Sequence, residues 1–425
     1  MGLGLGASLN KTGLTTPGIV TDSLVMKHNY SAGSVVPISD GAAYFTSSAY
    51  IRISDNATFN HDNGSASLIS VGCWIKIAQS DENDAYISKY DYHASQTARE
   101  WRLSVNADQK PIAVISSNGS NTFTFTGGTA LDSNWNHFIF TYDGSEGTAA
   151  DRPLIYINGV EQTLTQTDGS ATDGSTNPAQ IHEDDADVIM GAMLNNNAPS
   201  GLANSYVCNA GVWHSVLTPA QIKSIMNKNY AGLTTTEKTN LVSWWNLDDT
   251  IGASDGINTN DSLFTLDNNY TLGAEKMSNF GFEDSSQTSY STTNASYSYV
   301  SGGSGLEGTA DPAANQTVVI PMADDTITTG KYYLVSFDII STNGNTGGIT
   351  AGHGSGDPTK IDIDKGAARS HYWYPARVGT HSSVLTATES GTITMSLHVG
   401  TQVGDVTTFD NLSVKEILGN VGKLT

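Results

Sequence analysis

Along most of this chain hydrophobic positions recur at every second residue in short runs. Stretches rich in Gly, Ser, Thr, Asn and Asp separate the runs. That is the period of half-buried β-strands, and few segments hold a helical period long enough to compete. The plainest case is Trp135 to Tyr142, an aromatic and β-branched run without proline that closes on Asp143-Gly144. It is answered by Leu154 to Ile157, where Ile155 and Ile157 share one face and Tyr156 takes the other. The second run ends on Asn158-Gly159, the dipeptide best suited to the two positive-φ positions of a type I′ hairpin.

Further runs predict strands at Tyr44-Phe45, Tyr50 to Ile53, Ser70 to Ile77, Trp101 to Val105, Pro111 to Ile115, Val188 to Met190 and Ser205 to Trp213. In the second half Tyr333, Val335 and Phe337 share one face, Thr392 to Val399 alternates cleanly, and Phe409 to Val414 closes the pattern. One helix stands out between the halves. Thr218 can cap it, Pro219 fits its first position, and Ile222, Ile225 and Met226 form an apolar stripe that Gly232 ends. Thr234 to Glu237 has the spacing of a capping box for a second short helix. The expected fold class is therefore all-β: two tandem antiparallel β-sandwiches, one or two short connecting helices and an extended N-terminal arm. The segments are residues 1–41 (arm), 42–232 (first sandwich), 233–273 (connector), 274–417 (second sandwich) and 418–425 (C-terminal tail).

The motifs carry a resemblance. The central pair Trp135 to Gly144 and Leu154 to Gly159, the strand Ser70 to Ile77, the "I-M-G" at Ile189 to Gly191 and the closing "L-T-P-A-Q-I" at Leu217 to Ile222 appear in order. Together they resemble LamG-like, concanavalin A-type jelly rolls over roughly residues 42–232. Asn279 to Glu283, Gly330 to Asp338 and Phe409 to Val414 resemble carbohydrate-binding modules of families four and nine over about residues 274–417. The tandem behind a short Gly-rich arm looks like virion surface proteins of marine tailed phages.

Composition removes several classes of function. Forty-two acidic residues against 20 basic ones give a net charge of -22, and with no basic cluster a nucleic-acid partner is not expected. No apolar run approaches the length of about 20 residues that spans a bilayer, so no membrane insertion is expected. The first residues lack the basic and apolar regions of a secretory signal. Cys73 and Cys208 each lie in an apolar run and read as buried thiols or as one disulfide.

Candidate chemistry is sparse. Asp410 shares parity with Leu412 and Val414, so it is expected to face inward, where a carboxylate needs a partner. By resemblance to the carbohydrate-binding modules, Glu283 and Asp410 would help ligate a structural calcium; hydrogen bonding of both carboxylates is the alternative. His182 to Asp187 is an acidic loop that could hold calcium at a rim or simply be solvated. Tyr372, Trp373 and Tyr374 are the candidate glycan-binding residues, with Tyr372 and Tyr374 on one face of a strand and Trp373 on the other. Tyr290, Tyr297 and Tyr299 form a second aromatic set, and Trp244-Trp245 offers either core packing or a sugar platform. The "E-x-D-x-x-E" carboxylate arrangement of the laminarinase relatives is missing, as are nucleophile-elbow and zinc-protease motifs. No enzymatic activity is expected.

The expected role is a phage virion structural protein, a capsid decoration or fibre component in many copies or as a homo-oligomer on the virion surface. The arm with Gly2, Gly4 and Gly6 would bind other virion proteins, and the sandwiches would contact host-surface polysaccharide with avidity from copy number. The alternative is a secreted bacterial carbohydrate-binding adhesin or lectin, and a polysaccharide hydrolase fits least.

Overall fold

The structure is a computed structural model. It describes residues 36–46, 48–61, 66–79, 84–92, 98–169, 177–248, 264–277, 281–283, 290–300, 305–311, 316–321, 327–343, 348–351, 372–373, 378–387, 390, 394–400 and 403–424. The arm with Gly2, Gly4 and Gly6, together with Tyr374, lies outside them.

The first sandwich begins with β1 (Ala43–Phe45), β2 (Ile51–Ile53), β3 (Leu68–Gln79), β4 (Ala85–Tyr90), β5 (Arg99–Val105), β6 (Pro111–Gly119), β7 (Thr122–Gly127) and β8 (Trp135–Asp143). It continues through β9 (Pro153–Ile157), β10 (Val160–Glu161), β11 (Leu164–Gly169), β12 (Val188–Met190), β13 (Met193–Asn195), β14 (Ala198–Ser200) and β15 (Asn204–Trp213). Helix α1 (Pro219–Ile225) and strand β16 (Leu241–Trp245) follow. One sheet has the order β1-β15-β3-β8-β9-β10, with β16 also paired to β15. Asn158 and Gly159 adopt φ values of 51° and 73° and turn β9 into β10 with Ile157 opposite Val160, as a type I′ turn requires. Ile155 and Ile157 enter the main core with Phe138, Phe140, Val71 and Trp245. Tyr156 points to the opposite face, against Trp213, Ile222, Ile225 and Trp244.

Thr218 caps α1 through a full capping box with Gln221. The second expected helix is absent. Thr234 and Glu237 do make the reciprocal bonds, with the Thr234 amide donating to Glu237 Oε2 at 2.7 Å and the Glu237 amide donating to Thr234 Oγ1 at 3.3 Å. Asn240 then turns left-handed at φ 57°, and β16 starts one residue later, which leaves no room for helix.

The facing sheet holds nine strands in the order β11-β7-β6-β5-β4-β12-β2, then two distant arrivals, β29 (Val421–Leu424) and β17 (Phe264–Leu266). The segment expected as a C-terminal tail thus carries a strand of the first sandwich, with Ile51 opposite Leu424 and Ile53 opposite Gly422. Its neighbour Asn420 is buried, donating to Ser243 Oγ at 2.5 Å and accepting from Asn56 Nδ2 at 2.7 Å. Asp267 completes this network, taking bonds from Ser243 Oγ at 2.9 Å and the Trp244 amide at 3.0 Å. Burial pushes its carboxyl up to about 6 against those hydrogen bonds.

Between β17 and β29 lies the second sandwich: β18 (Thr271–Glu275), β19 (Ser291–Thr293), β20 (Ala295–Tyr299), β21 (Leu306–Ala310), β22 (Gln316–Pro321), β23 (Tyr332–Thr342), β24 (Gly348–Ala351), β25 (Tyr372–Trp373), β26 (Gly379–Thr386), β27 (Thr394–Gly400) and β28 (Val406–Leu418). One sheet runs β20-β21-β28-β23-β26 with β18 paired to β28, and the other runs β19-β22-β27-β24-β25. Tyr333, Val335, Phe337, Leu397, Val399, Phe409, Leu412 and Val414 share its core. Tyr290, Tyr297 and Tyr299 pack against that core with ring centroids 5.3 to 6.5 Å apart, a structural use.

Candidate functional site

Of the two uses read for Trp244-Trp245, core packing is the one the structure shows, with Trp244 and Trp245 1% and 0% exposed. Tyr372 and Trp373 form a strand opposite Thr350 and Ile349; of this aromatic set only that backbone pairing is described. Cys73 and Cys208 are buried free thiols.

Asp410 departs from its expected inward row. Asn411 takes φ 49°, and the register slips between Ser336 and Asp338, so that two residues of β28 oppose one of β23. The bulge shifts the parity. Phe409 and Leu412 stay in the core while Asp410 is half-buried on the outer side, directly opposite Asp338. Like charges in that position repel. Burial, then Asp338 and Glu283, raise the Asp410 carboxyl, so the chain does bring Glu283 and Asp410 near each other, with Asp338 as a third oxygen donor. These are calcium's preferred ligand atoms. Among the described residues, however, no three His, Cys, Asp or Glu side chains are arranged to hold an ion, so backbone carbonyls or water would have to complete a site.

The acidic loop before β12 is largely committed to structure. Lys89 on β4 is fully buried and meets the Glu100 carboxylate on β5, Asp55 Oδ1 at 3.0 Å and the Asp184 carbonyl at 2.7 Å. His61 lies 3.7 Å from both Glu100 and Glu183. Burial, with His214 and Lys89 adding to it, pushes His61 down to about 4. Asp187 pairs with Arg52 at 2.5 Å. Sequence periodicity could not show this cluster, since its members come from four separated segments.

The outer face of the nine-stranded sheet is the site that the sequence reading missed. Strand register places Arg52, Ile189, Ser88, Arg102, Val114, Thr124 and Thr167 in one row across the strands. Their inward neighbours Trp101, Leu103, Ala113, Ile115, Phe123 and Phe125 fill the main core, so this row faces away from it. Tyr90, Ile112 and Val114 form a small apolar floor, with Met193 of the β13–β14 hairpin against it. The Arg102 guanidinium lies 5.1 Å from the Tyr90 ring centroid. Arg99 lies 4.4 Å over Tyr92, whose ring is 48% exposed. Threonines 122, 124 and 126 on β7 extend the face with half-buried hydroxyls. An aromatic ring, planar cations and short hydroxyl side chains around an apolar floor can stack on a sugar face and hydrogen-bond its rim.

The other sheet carries a second outward row, in which Tyr44 is opposite Tyr206, Tyr206 opposite Lys76 and Lys76 opposite Trp135. There Tyr44 and Tyr206 stack on each other at 4.5 Å and Trp135 meets Tyr206 edge-on. The Tyr44–Tyr206 stack occupies one face of each ring.

A family profile for the concanavalin A-like lectin/glucanases superfamily matches residues 45–223. No curated protein matches the chain. Among solved structures the chain is similar to a putative carbohydrate binding protein from Bacteroides ovatus, at 15% identity and a TM-score of 0.36, covering 53% of this chain and 55% of that one. It is also similar to the CBM40 module of the Ruminococcus gnavus IT-sialidase, at 9% identity and a TM-score of 0.32, covering 44% of this chain and 100% of the module. A CBM4 module is similar at 14% identity and a TM-score of 0.22, covering 33% of this chain and 99% of the module. The lectin/glucanase profile therefore coincides with the sandwich that carries the Arg102–Tyr92 face.

Proposed function

We propose that the chain is a non-catalytic, lectin-like carbohydrate-binding protein whose ligand face is the outer surface of the nine-stranded sheet. The observation that carries this reading is the cluster of Tyr92, Arg99, Arg102 and Tyr90 with the β7 threonines, on a sheet face that no helix covers among the described residues. The superfamily match over residues 45–223 supports it. Of the two settings expected from the sequence, the carbohydrate-binding lectin or adhesin is the one this reading follows. Nothing in the described residues bears on display on a virion, for which the arm expected to carry assembly lies outside them.

Titration of the full chain with a panel of soluble polysaccharides tests the proposal. At least one should bind, and Tyr92→Ala should weaken it by about tenfold, the scale of one lost aromatic stacking contact. Unchanged binding in the variant would move the site elsewhere.

A structural calcium in the second sandwich is a further part of this reading, supported by the Asp338–Asp410 opposition and the nearby Glu283. An ion that binds the folded state alone raises the melting temperature by mass action. Excess chelator should therefore lower the melting temperature of the second sandwich, and Asp410→Asn should remove that sensitivity; identical melts with and without chelator would refute the ion.

A further inference from the structure

We propose that Arg102, assisted by Arg99, is an anion subsite that takes the carboxylate or sulfate group of an acidic saccharide. The inference rests on the ligand face proposed above and assigns its chemical preference.

Among the other cations that are buried or half-buried, Arg152 donates to the Glu146 and Asn177 carbonyls, and three more have acidic partners. Arg52, Lys89 and Lys228 each meet a carboxylate. In a chain with 42 acidic residues against 20 basic ones, a carboxylate partner is easily found. Arg102 has none among the described residues. Its Nε is buried without a hydrogen-bond partner. One terminal nitrogen reaches the Met193 sulfur at 2.6 Å, and a thioether is a weak acceptor. The ionisable groups that act on it are Tyr90 and a second cation, Arg99.

Arg99 repeats the pattern. Its Nε is also buried without a partner, and its one hydrogen bond among the described residues goes to the Ser120 carbonyl at 2.5 Å. Stacking on Tyr90 and Tyr92 orients both guanidinium planes but satisfies few of their N–H groups. Buried donors without acceptors are costly and normally matched. Two guanidinium groups whose Nε–H groups have no acceptor and which meet no carboxylate among the described residues can take an anion, and their planar forks fit the paired oxygens of a carboxylate or sulfate. The half-buried threonine row of β7 beside Arg102 leaves hydroxyl-bearing surface on which the rest of such a ligand would lie.

The test is equilibrium binding of the full chain, at low ionic strength, to four polysaccharides. These are polygalacturonate, its methyl-esterified form, κ-carrageenan and neutral laminarin. The expected result is binding to polygalacturonate or carrageenan at least about tenfold tighter than to the two neutral polymers, weakening as salt is added. The uronate and sulfate arms tell which acid group is held.

Arg102→Met should reduce that binding by about tenfold or more, Arg99→Gln by less, and Arg102→Lys should restore only part of it because the bidentate fork is lost. If Arg102→Met unfolds, as read by its melt, the Arg99→Gln and Arg102→Lys variants carry the comparison. Tight binding of laminarin that Tyr92→Ala abolishes and Arg102→Lys leaves intact would overturn the anion subsite while sparing the ligand face. Binding to none of the four polymers would overturn the subsite, and absence of binding to a wider neutral panel would overturn the face as well.

Discussion

Deletion of residues 421–425 from the full chain should lower the melting temperature of the first sandwich by about 10 °C or more. β29 lies between β2 and β17, so its removal opens a gap in the sheet. The backbone groups of β2 that face Gly422 and Leu424 lose their partners, at a net cost of about 1 kcal/mol per hydrogen bond and more where water cannot replace them. Val421, which is 2% exposed, takes about 2 kcal/mol of burial with it. Asn420 remains but loses the strand that holds it against Ser243 and Asn56. Differential scanning calorimetry resolves the effect. Because the residues removed belong in sequence to the far end of the chain, loss of stability in the first sandwich is the specific result. A drop confined to the second sandwich would contradict the pairing.

Replacing Lys89 with Met should destabilise the chain by about 3–5 kcal/mol above about pH 8, where Glu100 would otherwise carry its charge against Lys89 and is left as a buried charge without a partner. Lys89 and Glu100 are both fully buried. Burial pushes Glu100 from its ordinary 4.5 up to about 8 even with Lys89 opposing the shift. A carboxyl whose folded value is raised supports the folded state fully below its unfolded value and loses that support as pH rises towards the folded one. Without Lys89 the Glu100 carboxyl rises further, so the variant should be least impaired at about pH 5, where Glu100 is protonated, and most impaired above about pH 8. His61 works in the opposite direction: its folded value of about 4 lies below the ordinary 6.5, so stability falls on acidification across that window. Urea unfolding of wild type and Lys89→Met across pH separates the two, and a penalty that grows towards acid would refute the assignment to Glu100.

Local pattern carried much of the fold. The alternation at Leu154 to Ile157 and the Asn158-Gly159 turn are decided by adjacent residues, and both can be read from the chain. The same holds for the Thr218 cap and for the inward row Tyr333, Val335 and Phe337. What could not be read is set by distance or by irregularity. Residues 421–424 are four residues of ordinary β pattern, and nothing near them says that their partner is Ile51 to Ile53. Asp410 shared parity with Leu412 until Asn411 turned left-handed and inserted a bulge. A dipeptide with Asn at such a place is a weak signal of a bulge, because Asn tolerates positive φ without requiring it.

The ligand face was half visible. Trp101, Leu103 and Val105 point inward, which by period alone turns Arg102 outward. The sequence does not say that β5 lies near the middle of a sheet, or that Tyr90, Tyr92 and Met193 gather around it. A lone outward Arg on a strand is most often solvated; only the neighbours make this one a candidate. Tyr372 and Trp373, by contrast, drew notice through composition alone.

Hydrogen-exchange mass spectrometry of the full chain, with and without a saturating polysaccharide ligand, tests the central claim most directly. The account predicts slowed exchange in β4 with Asp91 and Tyr92, in β5, β6 and the β13–β14 hairpin, and unchanged exchange in β23 and β28. Protection centred instead on β1 with Tyr44 and β15 with Tyr206, or on Tyr372 and Trp373, would contradict the placement of the binding face on the nine-stranded sheet.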